Sequence, residues 1–409
     1  MKLTSGPSPW EQEFNNTYPS YPQLEDSVTC DVLVIGGGIS GALVSYELTK
    51  RGLDVLLLEE HTVAGGSTSA STALLQFMND DSITELMKRF GEYKGSRFYK
   101  MCLEAVERLA SVASQLPEDI GFRRRSSLYC ASTRQDVKLL QQEYENLRRY
   151  GFDVEYWTPQ DIAARFPFTK PAALYCHGDA EVNPVHMVKA LLNYSHIRQG
   201  LRIYEHSGVV RVEEDHLGRA IAYTHGMGKV HAKTLIWTVG YEAQDWKKDA
   251  QAVLEYTYAI TTEPVEDLSS WHERALIWEA ARPYLYLRTT VDGRIVAGGL
   301  DEPLAEGGLT EEIVQERSRK LLKEVMALFP QLGPLNIECS WSGVFGSTKD
   351  GLPLIGRDPR FPSSYFVEGY GGNGTVYSMI AADMLADTLT GKEPEELSWF
   401  SPIRRKQKH

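Results

Sequence analysis

Six consecutive residues, Gly36-Gly37-Gly38-Ile39-Ser40-Gly41, read G-x-G-x-x-G, and the chemistry they suit is the grip on a diphosphate. The first glycine permits a tight turn, the second lets a pyrophosphate approach the backbone, and the third lets a helix pack closely on a strand. The unpaired N–H groups and positive dipole end of the helix then face the phosphate charge. Glu59 stands 18 residues past Gly41, where a carboxylate can accept hydrogen bonds from both ribose hydroxyls of an adenosine. It would repel a 2′-phosphate, which disfavours NADP. The motif by itself separates neither FAD from NAD nor a bound dinucleotide from a bare glycine turn.

Two further blocks have the residue types for binding. Ala64-Gly65-Gly66-Ser67-Thr68-Ser69-Ala70-Ser71-Thr72-Ala73 lets backbone and hydroxyls approach a flat ring or a second phosphate, or else forms a flexible linker. Near the C-terminus, Trp341-Ser342-Gly343-Val344-Phe345-Gly346 precedes Glu368-Gly369-Tyr370-Gly371-Gly372-Asn373-Gly374-Thr375. Gly371 to Thr375 is either a second anion- or carbonyl-binding turn opening a helix over 376–389 or a structural turn.

The elements that must position these residues follow from periodicity. Residues 30–35 form a β-branched run ending in three glycines, the pattern of a buried parallel strand entering a turn. A helix is expected over 39–50, stopped by Arg51-Gly52, and a second strand over 54–58 closes at Glu59, one βαβ unit. Long helices are expected over 97–115 and 136–150, and an amphipathic helix over 184–200 leads into a strand pair over 201–212. A further strand over 230–239 ends at Gly240. Residues 250–335 mix strands (284–288, 294–298) with a helix over 310–329, a sheet-based second domain. Residues 7–27, with Trp10 and several tyrosines, read as a surface arm, and 401–409, with Arg404, Arg405, Lys406 and Lys408, as a solvated tail.

Composition narrows the class. The 409 residues exceed one simple core, and 42% hydrophobic with 24% charged residues is an ordinary globular balance. A formal charge of -12 argues against nucleic acid or an anionic membrane as partner. Five scattered cysteines without a C-x-x-C pair suggest neither zinc nor a redox dithiol, and no metal site is expected. With no signal-peptide pattern and no apolar run of about 18 residues, a soluble cytoplasmic protein without a membrane span is expected.

The three blocks, in this order, resemble the D-amino acid oxidase-like superfamily of FAD-dependent oxidoreductases, in particular its glycine oxidase and gamma-glutamylputrescine oxidase branch. The resemblance spans about 28–389 and is weakest over 82–150. It implies an α/β fold in which a Rossmann-like FAD-binding domain (28–90, 151–245 and 336–395) is interleaved with a mixed-sheet α+β substrate domain (91–150 and 246–335), with an N-terminal arm (1–27) and a basic tail (396–409). It implies that Gly36, Gly38, Ile39, Ser40, Gly41, Glu59, Glu60, Ser67, Thr68, Thr72, Ala73 and Leu74 hold non-covalent FAD. Val209 would meet the adenine through its backbone, Gly240 ends the supporting strand, and Gly371, Gly372, Asn373, Gly374 and Thr375 lie by the isoalloxazine edge.

The chemistry implied is oxidation of a CH–NH bond of a small amine or amino acid to an imine, by hydride transfer to flavin N5. Oxygen or another electron acceptor then takes the electrons. The cofactor does the difficult chemistry, so none of the ten histidines is needed as an acid or base. Oxidation of a CH–OH substrate, or flavin binding without catalysis, is the alternative. The sequence departs from amino-acid-oxidising relatives where these carry arginines for the substrate carboxylate: Phe345 and Gly372 stand in those places. An apolar ring cannot replace the bidentate arginine fork. Tyr284 matches the family's substrate-domain tyrosine, and Arg282, expected on the same strand face two residues earlier, is the candidate replacement anchor, with Arg288 as a second. Lys349 is expected to serve its loop, and no cysteine stands where related enzymes attach flavin covalently.

Overall fold

The computed structural model describes residues 4–12, 17–247, 252–304, 309–361, 363–369 and 371–404. Within them the chain builds two sheets. The eight-stranded one has Ser27–Ile35 at its centre, parallel to Lys229–Trp237 on one side and Val55–Leu58 on the other. Leu33 sits in register with both Leu56 and Leu235. Val32 to Ile35 are all buried, as a parallel strand covered on both faces requires. Ser364–Glu368 and Arg202–Tyr204 extend the parallel array, and Leu354–Arg357 closes one edge in antiparallel sense.

The helix that follows the glycine turn, Ile39–Lys50, is buried along Gly41–Thr49. It lies against two long helices, shown by Ser40 Oγ at 2.7 Å from Ser378 Oγ on Gly374–Leu389 and by Thr49 Oγ1 donating to Gln199 on Pro184–Gln199 at 2.7 Å. Its buried Glu47 is neutralised by Arg51 at 2.6 Å and Arg108 at 3.0 Å, so the helix keeps one charge inside without leaving it unpaired.

The ten-stranded mixed sheet carries the other wall of the molecule. Ala252–Thr262 lies between Ile337–Thr348 and Ile295–Pro303, followed outward by Leu285–Thr289, Leu276–Glu279, Arg123–Cys130 and Ala173–Glu181. The helices Glu92–Gln115, Val137–Arg149 and Glu311–Leu328 match the helical periodicities of the sequence.

Several expectations change. The segment 201–212 is not a strand pair: Arg202–Tyr204 pairs with Val55–Leu58, whereas Val209–Glu214 pairs with Ala220–Thr224. Strands Val154–Trp157, Ala173–Glu181 and Ile337–Thr348, expected with the nucleotide-binding unit, belong to the ten-stranded sheet, because their partners lie there. The N-terminal arm joins the body: Thr4 pairs with Gly343, and Trp10 is buried. Arg404 is not part of a free tail. It clamps Asp350 through two contacts of 2.6 Å and reaches the carbonyls of Leu352 and Pro353. Arg405, Lys406 and Lys408 lie outside the described residues.

Candidate active site

A cleft of about 580 Å³ runs between the two sheets, with the glycine turn at one end and Tyr284 at the other. At the first end, Gly36 adopts φ +109°, and a Cβ there would stand 2.6 Å from the Thr238 carbonyl oxygen. Gly41 has a different task from its neighbours. It is absent from the cleft wall, and a Cβ on it would lie 1.9 Å from the Gly36 carbonyl, so it lets the helix sit down on the turn. No side chain caps the helix at Gly38, while Ile39 N–H donates to Thr68 Oγ1 at 3.0 Å. Gly36, Gly38, Ile39 and Ser40 face the cleft.

Glu59 holds the turn from the other side. Its Oε2 accepts from Gly37 N–H at 2.7 Å and its Oε1 from His61 N–H at 2.8 Å. Burial raises its pKa, and these two amides oppose the rise. Glu60, Val209 and Gly240 line the same end.

The run 64–73 is not a linker. Its backbone is pinned by three distant side chains: Trp341 Nε1 donates to Ala70 O at 2.9 Å, Trp10 Nε1 to Ser71 O at 2.8 Å, and Arg288 Nε to Thr72 O at 2.6 Å. Ser67, Thr68, Thr72, Ala73 and Leu74 are thereby presented to the cleft.

Gly371, Gly372, Asn373, Gly374 and Thr375 form the opposite lip, where the helix Gly374–Leu389 begins without a side-chain cap. Gly371 takes φ +116° and donates to Gly346 O at 2.7 Å. Asn373 Nδ2 donates to Met78 O at 2.6 Å and to Asn79 Oδ1 at 2.9 Å. Two helix starts thus converge on one cleft, an arrangement suited to an anionic ligand.

At the far end Tyr284 and Tyr286 stand 5.5 Å apart by ring centroids. A Cβ at Gly298 would meet the Tyr286 ring at 2.4 Å, so that glycine makes the room for it. Burial raises the pKa of Tyr284, and that of Tyr286 to about 12, so both phenols stay protonated at neutral pH. Arg282 is not on the cleft wall. The strand begins at Leu285, so the alternation expected to align Arg282 with Tyr284 does not apply; instead its guanidinium stacks on the Tyr284 ring at 4.4 Å and pairs with Asp80 at 3.6 Å. Arg288 is excluded from substrate contact. It is buried, donates to Thr72 O and Val182 O, and faces Glu181 at 3.7 Å.

The sequence reading missed Gln76, Asn79, Asp80, Trp278 and Asp301, all on the cleft wall. None belongs to a recognisable motif; only the position of 76–80 just after the small-residue run hinted at them. Asp301 is pushed up to about 6, first by burial and then by Asp80 and Glu255, against a hydrogen bond from Thr257 and the charge of Arg282. Phe345 lines this end as the sequence suggested. Among the described residues no cysteine lines the cleft, all five being buried and unpaired, and no cluster of His, Cys, Asp and Glu could hold a metal. No helix among them is long and apolar enough to cross a membrane.

The cleft also fits a large polar ligand in its unused groups: Ser67 Oγ and Gln76 Nε2 are buried on its wall without a hydrogen-bond partner among the described residues. Comparison with known proteins gives that ligand a class. The family model for "FAD dependent oxidoreductase" (DAO) matches residues 31–388. Gamma-glutamylputrescine oxidoreductase of Escherichia coli is 26% identical over 388 residues, covering 92% of this chain and 87% of the relative. Glycine oxidase of Bacillus subtilis is 24% identical over 378 residues, covering 91% and 96%. The crystal structure of glycine oxidase from Geobacillus kaustophilus superposes with a TM-score of 0.78 at 21% identity, covering 93% of this chain and 100% of that one, a likeness of fold.

Proposed function

Because the chain belongs to the FAD-dependent oxidoreductase (DAO) family, with FAD as its cofactor, we propose that it oxidises the CH–NH bond of a small amine or amino acid to an imine. FAD, when bound, would supply the acceptor for two electrons and the hydrogen of the carbon next to nitrogen; the nitrogen's proton would pass to water, and water would hydrolyse the imine to a carbonyl and an amine or ammonia. The observation that carries the reading is the cleft that joins the first turn of the helix Ile39–Lys50 to the enclosed tyrosines 284 and 286.

The protein's own part is binding, orientation and exclusion of water. The first-turn amide at Ser40 would take the diphosphate, beside Ile39, whose own N–H is held by Thr68 Oγ1, and Glu59 would take the ribose with the oxygen lone pairs left over from Gly37 and His61. Val209 flanks the adenine. Gly371 to Thr375 supply the second positive helix end to the redox ring, where it favours the added negative charge of reduction. Tyr284 would orient the substrate's polar group, and Arg282, stacked on the tyrosine ring, would be a positioning residue. The buried, unpaired cysteines suit a reducing compartment.

The absorbance spectrum of the purified protein, with and without added FAD, followed by anaerobic mixing with amines, amino acids and hydroxy acids, tests the proposal. Bleaching by a nitrogen compound is expected. A protein that takes up no FAD, or is bleached by hydroxy acids alone, overturns it. Admitting oxygen afterwards distinguishes an oxidase, which recovers its colour and releases peroxide, from a dehydrogenase.

A further inference from the structure

The cleft is unusual in its charge. Among the described residues, several carboxylates line it and no arginine or lysine does. The carboxylates near Glu59 face the nucleotide end. Two others, Asp80 and Asp301, sit where Tyr284, Tyr286, Trp278 and Phe345 enclose the space beside the second helix start. The cation nearest to them, Arg282, is engaged at the mouth with the Tyr284 ring and Asp80. Asp80 is further occupied by Gly372 N–H at 2.9 Å. Asp301 is the group left over: its Oδ1 is buried and has no hydrogen-bond partner among the described residues.

A substrate carboxylate entering this end would lose water, meet no cationic partner and lie against Asp301, which costs free energy at each step. An ammonium group loses water too, but is compensated for it. It finds the unpartnered oxygen of Asp301, it can lie against aromatic faces, and its charge offsets that of a carboxylate held out of water. Trp278 is 5% exposed and its Nε1–H has no partner among the described residues, a donor open to any acceptor on a ligand and therefore neutral between the two charges.

Building on the amine-oxidising reading above, we infer that the substrate is a cationic amine without a carboxylate beside the reacting carbon, a diamine or aminoalkyl compound whose second ammonium pairs with Asp301. Phe345 and Gly372 are then not losses to be replaced. They leave the wall free of the positive charge that would repel such a substrate.

The test uses the FAD-loaded protein and three probes of one length: 1,4-diaminobutane, n-butylamine and 4-aminobutyrate. Anaerobic bleaching is expected to half-saturate with the diamine at a concentration about ten-fold or more below that for butylamine, the scale of one charge-assisted hydrogen bond, with 4-aminobutyrate weakest. Asp301→Asn should bring the diamine's half-saturation up to that of butylamine. A binding measurement independent of turnover accompanies it: tetraethylammonium should perturb the flavin spectrum saturably and acetate should not. Equal response to all three probes, a preference for 4-aminobutyrate, or an Asp301→Asn protein that keeps the diamine advantage overturns the inference while leaving amine oxidation standing. Bleaching by no amine at all overturns the amine reading itself, and the tetraethylammonium and acetate titrations then still decide whether the cleft selects cations.

Discussion

Asp80 accepts a hydrogen bond from Gly372 N–H at 2.9 Å and faces the Arg282 guanidinium at 3.6 Å, so one carboxylate links the glycine turn of the last long helix to the tyrosine wall. The contact spans 292 residues of sequence. It couples the part of the cleft assigned to the redox ring with the part assigned to the substrate.

Asp80→Ala should therefore disturb both ends. Losing the turn's acceptor costs about 0.5–1.5 kcal/mol, which is a weakening of FAD binding by roughly 2- to 13-fold. Titration of the apoprotein with FAD, followed by flavin fluorescence, checks the figure. Unchanged affinity would show that the turn holds its shape without Asp80.

Gly41→Ala separates packing from ligand contact. The added Cβ would meet the Gly36 carbonyl at 1.9 Å, so the helix must lift from the turn, an overpacking cost of about 1–3 kcal/mol. Lower thermal stability is expected even without FAD, because Gly41 does not face the cleft. A melting temperature equal to that of the parent apoprotein would contradict this assignment.

Arg288 and Arg282 should behave oppositely. Arg288→Met leaves the buried Glu181 with one cation fewer and frees Thr72 O, a loss of about 3–5 kcal/mol if the pair behaves as buried pairs do. Arg282 is 46% exposed in its side chain, and Arg282→Ala should leave the melting temperature nearly unchanged while altering substrate half-saturation. Denaturant unfolding and anaerobic bleaching give the two readouts.

The titration of Asp301 has a definite sign. Its folded pKa of about 6 lies above the ordinary aspartate value of about 3.9, so the folded state holds the proton more tightly than the unfolded state. Its contribution to stability is fully present below the unfolded value and is lost as pH rises through about 6. Asp301→Asn should consequently be more stable relative to the parent at pH 8 than at pH 4, as paired melting curves would reveal. Binding runs the other way: diamine half-saturation should worsen as pH falls through about 6, as the carboxylate facing Thr257, the two tyrosines, Asp80, Glu255 and Arg282 becomes neutral.

The sequence by itself determined the end of the cleft proposed for the nucleotide. Strand, glycine turn, helix and Glu59 lie within a short stretch, and each has a local cause: a β-branched run, positive φ, helical spacing, an acid at a strand end. Phe345 and Gly372, too, were legible as departures from a carboxylate-binding pattern. Only the tertiary structure decided the end proposed for the substrate. Asp80 lies about 200 residues before Trp278, Tyr284 and Asp301, which stand on separate segments of the chain that builds the ten-stranded sheet, and a side chain's availability depends on which long-range partner has already claimed it. That is why Arg288, a plausible anchor on its strand, proves to be a buried clamp on Thr72, while Asp301, unremarked among its neighbours, keeps an oxygen free. Short-range sterics are written in adjacent residues, whereas burial and pairing are properties of surfaces that exist only once the two sheets have closed on each other.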